Sequence, residues 1–585
     1  HTHTHQAGFC TGRSTTDNVF LLQHAIETSR GDRKPLYAAF IDFRKAYDTI
    51  NRQLLWRVLH GMGVHGRILT VLQNLYTGVS LRVRVAGEVG ESFEASVGVR
   101  QGDPLSPLLF GIFIDRFENY LAHHCTQCGV SALQAGGFLR ALLYADDLTL
   151  LAQSKADLQQ MLDCLQKFAD MNLMTVNLKK SKLMAFGAVG MCKLGSGEIR
   201  YGGEPLGVVQ EFVFLGITFH ASQSHTTKHV KDNSDYNLSK AKLALFALSR
   251  RTKELGIHNL KVLCNLFNTL VLSVLNYCCP VWSVYHLQDL KHGSIQWGKK
   301  ANSAEDLQRS FLRRICGAPD SVTVGVLMCE LHRSPVLHSW CKQCIQWYNT
   351  VVKRQQGDLV RMALSHSLSV AGNSWGQALY NMVRSVDEVA AELVRNAVPI
   401  NAAAWAQSLH DKWQKQVWGD WADPGHQAPP VRDIPQDQSR GFKNTVYCLW
   451  VNDLTSKKGQ QWIYHLNRQQ QVLALAAFRM SYHKLNIEVQ RRSQVARHDR
   501  LCTCCQMGVI EDEYHMMHEC PAYTTIRSRF TDVIPARLPF EGTDAHMMRT
   551  MNPTAFDESG IPQAWKRLAD FIINAMAARV TALEL

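Results

Sequence analysis

The sequence predicts an α+β fold in which short buried strands, two of them bearing carboxylates at their ends, alternate with longer helices. Three observations predict it. Phe138–Ala152 is an apolar, strand-like run broken by the adjacent acids Asp146 and Asp147, which fall where a hairpin must turn. Pro35–Asp42 is a second apolar run of strand length with a carboxylate at its C-terminal end. Helical spacing follows each: Asn51–His60, with Asn51 as N-cap, and the repeat of Leu158, Met161, Leu162, Leu165 and Phe168, an amphipathic helix suited to covering a sheet. Hydrophobic strands on both sides of the turn hold Asp146 and Asp147 at a fixed sheet edge. Carboxylates that close repel one another unless a cation lies between them, and a hard divalent ion such as Mg²⁺ is the usual solution. The pair therefore predicts a further acid from elsewhere in the chain, and Asp42 is placed to supply it.

At 585 residues the chain has room for several cores, and its hydrophobic content of 46% is ordinary for globular protein. A formal net charge of +13 suits a polyanion-binding protein. The surplus is clustered: residues 225–316 hold 14 Lys/Arg against 6 Asp/Glu, and residues 479–500 hold 6 against 2, which favours a nucleic-acid track over general solubility. The 17 cysteines are scattered, mostly in apolar runs, as reduced intracellular thiols are. Val262–Gln288 carries no Asp, Glu, Lys or Arg, but Asn265, Asn268, Asn276 and Pro280 interrupt it and basic segments flank it. That pattern predicts a buried core helix rather than a membrane span.

The remaining elements follow in chain order. His1, His3 and His5 alternate and would share one face of a strand, a metal-binding pattern, although a solvated terminus is the simpler expectation. Gln6–Asp17 (QAGFCTGRSTTD) is a Gly-containing turn that leads into an apolar helix, with Arg13 a candidate phosphate contact. Gly98–Phe110 (GVRQGDPLSPLLF) opens a helix running to about Leu121; Gly102 permits close backbone approach and Pro104 suits the first turn. Leu173–Phe186 carries Lys179, Lys180 and Lys182, and Phe212–Gly216 reads FVFLG. Within 225–316, Lys240, Lys242, Arg250, Arg251 and Lys253 are spaced to follow phosphates in a salt-sensitive way. Residues 318–420 look helical, with Trp340, Trp347, Trp375 and Trp405 as core, and the Pro-rich polar stretch near Asp420–Gln438 reads as a linker. Finally, Cys502-x₂-Cys505-x₉-His515-x₄-Cys520 has the spacing of a tetrahedral Cys₃His zinc site, with Cys504 and His518 as alternative ligands and Arg491, Arg492, Arg497 and Arg500 beside it.

FIDFRKAYD (Phe40–Asp48), GVRQGDPLSPLLF and YADD (Tyr144–Asp147), in that order, closely resemble motifs A, B and C of reverse transcriptases, in the flavour of non-LTR (LINE-type) retrotransposons. The resemblance covers residues 6–320, and Phe478–Tyr523 resembles the C-terminal CCHC region of such proteins. It implies a right-hand polymerase: palm with partial fingers over 1–223, helical thumb over 224–320, helical connector over 321–420, linker over 421–440, and an α-rich C-terminal domain with a zinc knuckle over 441–585. The implied activity is RNA-directed DNA polymerisation, with template RNA, a DNA primer and dNTPs as partners. Asp42, Asp146 and Asp147 would hold two Mg²⁺, and Lys180 would protonate or neutralise the leaving pyrophosphate. Phe43, Tyr47, Gln101 and Gly102 would meet the incoming nucleotide or nascent pair, Tyr47 as a steric gate against a 2′-hydroxyl. Arg13, the primer-grip residues Phe214, Leu215 and Gly216, and Lys240, Arg250 and Arg251 would contact nucleic acid. Cys502, Cys505, His515 and Cys520 would hold a structural Zn²⁺.

The sequence also departs from the family. Cys10 stands where Arg is usual and Phe214 where Tyr is commoner. The fingers motifs that precede the Gln6 block in relatives are absent, so the chain is expected to be N-terminally truncated, and no endonuclease or RNase H signature accompanies it. The expected setting is a ribonucleoprotein in nucleus and cytoplasm. Two rivals remain: a group II intron maturase-like enzyme, against which the Cys₃His cluster argues, and a non-catalytic nucleic-acid-binding remnant, against which the intact acids argue.

Overall fold

The computed structural model describes residues 6–133, 137–187, 194–195, 197–221, 226–287, 303–370, 372, 374–418, 462–552 and 560–584. The terminal histidines and the proposed linker lie outside the described residues.

Two compact units organise the chain, and neither is continuous. The first comprises residues 1–234, 278–289 and 343–402; the second comprises 235–277, 290–342 and 403–585. The thumb and connector expected over 224–320 and 321–420 are thus each divided between the two units, whereas everything from 403 onward falls in the second.

The first unit is built on a five-stranded sheet. Its elements are α1 (Thr15–Gly31), β1 (Leu36–Ile41), α2 (Arg52–Gly61), α3 (Ser106–His124), β2 (Ala141–Tyr144), β3 (Asp147–Ala152), α4 (Lys155–Met171), β4 (Lys182–Phe186) and β5 (Gly207–Val208). Strand order is β5-β4-β1-β3-β2, with β5 parallel to β4 and the other pairs antiparallel. Every residue of the central β1 is buried, which is why it reads as a continuous apolar run rather than an alternating one. Tyr37, Ala39 and Ile41 share a core with Phe110, Phe113 and Phe117 of α3 and with Leu158, Leu162 and Leu165 of α4. Ala38 and Phe40 alternate with them, and the Phe40 ring stacks 4.1 Å from that of Phe212. Full burial of each such aromatic side chain contributes roughly 1.5–3 kcal/mol.

Helix ends follow their capping residues. Asn51 accepts a hydrogen bond from the Leu54 amide at 3.0 Å, as an N-cap should, and Ser154 does the same for Asp157. The helix that follows residues 98–105 differs in one respect. It begins at Ser106, so Pro107 rather than Pro104 occupies its first turn, while Pro104 lies in the preceding loop.

Trp340, Trp375 and Trp405 are buried as expected; Trp347 is half-buried and packs against Phe20 and Trp375. The single helix expected after Val262 is broken. Leu260–Phe267 is α-helical, Asn268–Leu272 forms a π-turn, Ser273–Leu275 is a short helix, and Cys278 takes φ 52 before Cys279–Trp282. The helix runs on through the π-turn that begins at Asn268 and stops at Asn276, and Pro280 stands in the first turn of the next one. Among the described residues, no helix is long and apolar enough to cross a membrane.

The second unit is helical. Phe267 stacks on Phe311 at 4.2 Å, and Leu475 and Phe478 of Gln469–Arg479 are fully buried in a helix that packs on Ile561–Glu584. A buried ion pair links Arg479 to both oxygens of Glu330 at 2.8 Å, and the Trp462 indole N–H donates to the same carboxylate at 2.6 Å. Removing one partner of such a pair leaves a buried charge and costs about 3–5 kcal/mol.

Candidate active site and Cys/His cluster

Sheet register brings the three acids together. β1 pairs antiparallel with β3, Ile41 opposite Leu148, and one further step sets Asp42 beside Asp147. β2 and β3 close through Tyr144 opposite Asp147, leaving Ala145 and Asp146 as a two-residue turn. Ala145 sits at φ 55. The strands are fixed by apolar residues on both faces, so the acids inherit their positions from the core.

Electrostatics at this edge are those of crowded carboxylates. Burial of its flank, then the like charges of Asp146 and Asp42, push the Asp147 carboxyl up to about 6. Water still reaches Asp147 at the turn. Asp42 is half-buried and anchored by partners that sequence reading missed. The Asn177 side-chain amide donates to Asp42 Oδ2 at 2.9 Å, the Asn177 backbone N–H donates to the Asp42 carbonyl at 2.7 Å, and the Asp42 N–H donates to Ser181 Oγ at 3.1 Å. Asn177 stands in the same segment as the three lysines, but nothing in its spacing distinguishes it. Of those lysines, Lys180 reaches the site: its exposed Nζ lies 3.9 Å from Asp42 Oδ1, whereas Lys182 Nζ donates to the Lys179 carbonyl.

Tyr47 lies beside the acids. Its ring stacks 4.7 Å from that of Phe110, and burial together with the Asp146 charge pushes its hydroxyl up to about 12. The loop carrying it is tied to the next motif, since the Val99 N–H donates to the Tyr47 carbonyl at 2.7 Å. Gly98 closes that contact at φ 78, where a β-carbon would lie 2.4 Å from the Asp48 carbonyl oxygen. Gln101 and Gly102 are exposed, and open space adjoins Gly102 at φ 88. Phe43 differs: its ring is 5% exposed and belongs to the core, so only its backbone borders the site.

Other expected contacts are relocated. Arg13 does not point to solvent; it pairs with Asp358 at 2.8 Å, and Arg354 pairs with Asp17 at 2.9 Å, so these charges tie the Gln6–Asp17 block to residues 343–402 of the same unit. A guanidinium already neutralised and mostly buried is a poor phosphate ligand, which corrects that assignment. Phe214 is also turned inward, 3% exposed and packed near Phe40, in the hairpin of Glu211–Phe214 and Ile217–His220. The turn itself, Leu215 at φ 47 and Gly216 at φ 78, is the part of that hairpin left to meet a ligand. Lys240, Lys242, Arg250, Arg251 and Lys253 are exposed on Thr226–Glu254, with Arg250 and Arg251 both close to Glu254.

In the second unit, Cys502, Cys505, His515 and Cys520 place one ligand atom each within 4.8 Å of all the others. Cys505 Sγ lies 3.4 Å from His515 Nε2 and Cys502 Sγ 3.9 Å from Cys520 Sγ. The alternative ligands point elsewhere. His518 Nε2 pairs with Thr550 Oγ1 at 3.2 Å, and Cys504 Sγ receives the Tyr523 hydroxyl at 3.4 Å. Cys504 can still join Cys502 and Glu511 in a second, smaller grouping. Burial pushes the His515 imidazole down and the Cys502 and Cys520 thiols up, a cost to the ligating thiolates that a bound cation would offset. Arg500 is not free for nucleic acid, since it donates to the carbonyls of Val495 and Ile487, and Arg491 pairs with Glu488 at 3.1 Å.

Comparison with known proteins agrees with the site. Residues 1–219 match the family described as reverse transcriptase (RNA-dependent DNA polymerase). The chain is 28% identical over 229 residues to the retrovirus-related Pol polyprotein of the type-2 retrotransposable element R2DM from Drosophila melanogaster, covering 37% of this chain and 21% of that one. It is 27% identical over 213 residues to an R2 Pol polyprotein from Popillia japonica, covering 36% of this chain and 35% of the relative. A probable RNA-directed DNA polymerase from transposon BS of Drosophila melanogaster is 28% identical over 191 residues, covering 30% and 19%. The matches thus span about a fifth to a third of these relatives' lengths.

Proposed function

We propose that this chain, whose residues 1–219 are a reverse transcriptase domain of the non-LTR retrotransposon kind, copies RNA into DNA from a primer 3′-hydroxyl. The observation that carries the reading is the sheet register that sets Asp42, Asp146 and Asp147 at one edge, with Asp147 raised by its neighbours' charge. Three acids so placed fit two Mg²⁺, which when bound would lower the pKa of the primer hydroxyl and offset charge on the leaving pyrophosphate. The protein's own groups do the rest. Asn177 and Ser181 keep Asp42 aimed at the site, Lys180 offers a proton or a positive charge beside it, and the Tyr47 ring, braced by Phe110, occupies the space a 2′-hydroxyl would need. Open space at Gly102 lets the nascent pair approach the backbone. The exposed lysines and arginines of Thr226–Glu254 supply a salt-sensitive phosphate track.

Cys502, Cys505, His515 and Cys520 fit a structural Zn²⁺, whose role is to hold the 500–520 segment folded. We place the template as the element's own RNA and the setting as a nuclear and cytoplasmic ribonucleoprotein. Extension of a DNA primer on an RNA template with Mg²⁺ and dNTPs tests the reading; RNA binding without extension would instead support a binding remnant.

A further inference from the structure

The Gln6–Phe9 segment lies against the turn that carries Asp146. In a two-residue hairpin turn, the N–H and C=O of the first turn residue ordinarily face water. Here one side chain takes both: Gln6 Oε1 accepts from the Ala145 N–H at 2.8 Å, and Gln6 Nε2 donates to the Ala145 carbonyl at 3.1 Å. The Gly8 N–H also donates to Gln6 Oε1, at 2.7 Å, which fixes the orientation of the amide. Gln6 is 1% exposed, so its amide has no part in binding solvent or template. Contacts on the neighbouring residues fix the segment further. The Ala7 N–H and the Asn18 side chain each donate to the Leu143 carbonyl at 2.9 Å. A β-carbon at Gly8 would lie 2.3 Å from the Ala145 nitrogen, so the two backbones touch.

Ala145 needs such a partner. Its φ of 55 is a conformation that residues with a β-carbon rarely adopt, and Asp146 follows it directly. The peptide that Gln6 grips therefore sets the direction in which the Asp146 carboxylate leaves the chain. We infer that Gln6 is a positioning residue for the carboxylates of this edge, fixing the Ala145–Asp146 turn from which Asp146 projects. The inference rests on the reading of Asp42, Asp146 and Asp147 as a divalent-cation site.

Binding of Mn²⁺ to the full chain, followed by the paramagnetic resonance of the free ion, tests it without any need for polymerisation. Wild type, Gln6→Met, Gln6→Asn and Asp146→Asn are compared, with melting temperature as the check on folding. The wild type is expected to bind and Asp146→Asn to lose that binding. Gln6→Met, similar in volume but without either hydrogen bond, is expected to bind about tenfold more weakly and to melt at a lower temperature while still folding, because the Ala145 and Gly8 backbone groups lose their partner. Adding Ala145→Gly to Gln6→Met should recover part of the affinity, because glycine takes positive φ unaided. A purely structural glutamine would show no such rescue. Should Gln6→Met fail to fold, Gln6→Asn, which keeps a neutral amide but is one methylene too short to hold both Ala145 groups, takes its place with the same direction of effect. Affinity within twofold of wild type in the folded variant would overturn the inference. Absence of Mn²⁺ binding in the wild type, or its persistence in Asp146→Asn, would instead overturn the carboxylate-site reading and the inference with it.

Discussion

The acids of the sheet edge and the thiols of the C-terminal segment are both clusters of ionisable side chains, but they are assembled in opposite ways. Asp42, Asp146 and Asp147 come from strands about 100 residues apart in sequence and meet because β1 and β3 pair. Cys502, Cys505, His515 and Cys520 come from one short stretch. The acids share one edge but stay accessible and more widely spaced: among the described residues, the sets of three or more ligand atoms all within 4.8 Å belong to the Cys/His segment alone. The thiols and imidazole are closed in, with Cys520 and His515 at 0% and 1% exposure. An open set with room for substrate suits catalysis, and a closed tetrahedral set suits structure. The first depends on the core for its geometry, whereas the second holds its own segment together.

That contrast can be tested from its largest expected effect downward. Asp42→Ala should lower primer extension on the order of a thousandfold, the several kcal/mol that metal ions supply, with little change in melting temperature. Cys505→Ser should do the reverse, losing zinc by metal analysis and several kcal/mol of C-terminal stability by proteolysis or denaturation, because structural metal binding is folding energy. An Asp42→Ala chain that unfolds, or a Cys505→Ser chain as resistant as wild type, would erase the distinction.

Tyr47→Ala should relax exclusion of ribonucleotides by about 10–200-fold in kcat/KM ratio, the size of one steric element in a pocket. An unchanged ratio would leave Tyr47 as packing for Phe110 only. The smallest effect lies in pH. Asp147 titrates near 6 rather than the usual 3.8, so its ionised form opposes folding. Metal-free stability should fall as pH rises from about 4 through 6, then level. Asp147→Asn should be the more stable chain above pH 6 and equal to wild type below about 4, as melting curves across that range would show.

Much of the sheet edge was legible because it is written in apolar runs with acids at their ends, a pattern that Asp42 and the YADD turn display openly. The N-cap role of Asn51 and the helix over Leu158–Phe168 were legible for similar local reasons. What sequence could not convey was pairing between distant polar side chains. Arg13 looked like a phosphate ligand until Asp358 was seen beside it, and Gln6 and Asn177 gave no sign that each grips a residue more than 130 positions away. The same limit applied to Phe214, whose aromatic ring fitted either a ligand or the core. In the Cys/His segment the residue types were plain, and only geometry separated Cys505 from Cys504 and His515 from His518.

The central claim is that the three carboxylates perform chemistry on a nucleic acid held by other parts of the protein. The most direct test measures two quantities on the same preparations of wild type and Asp146→Ala: primer extension on an RNA template, and affinity for that template–primer. The account predicts extension by the wild type, its loss in Asp146→Ala, and affinities that agree within a few fold. Extension that survives Asp146→Ala, or a wild type that binds the duplex and never extends it, would contradict it.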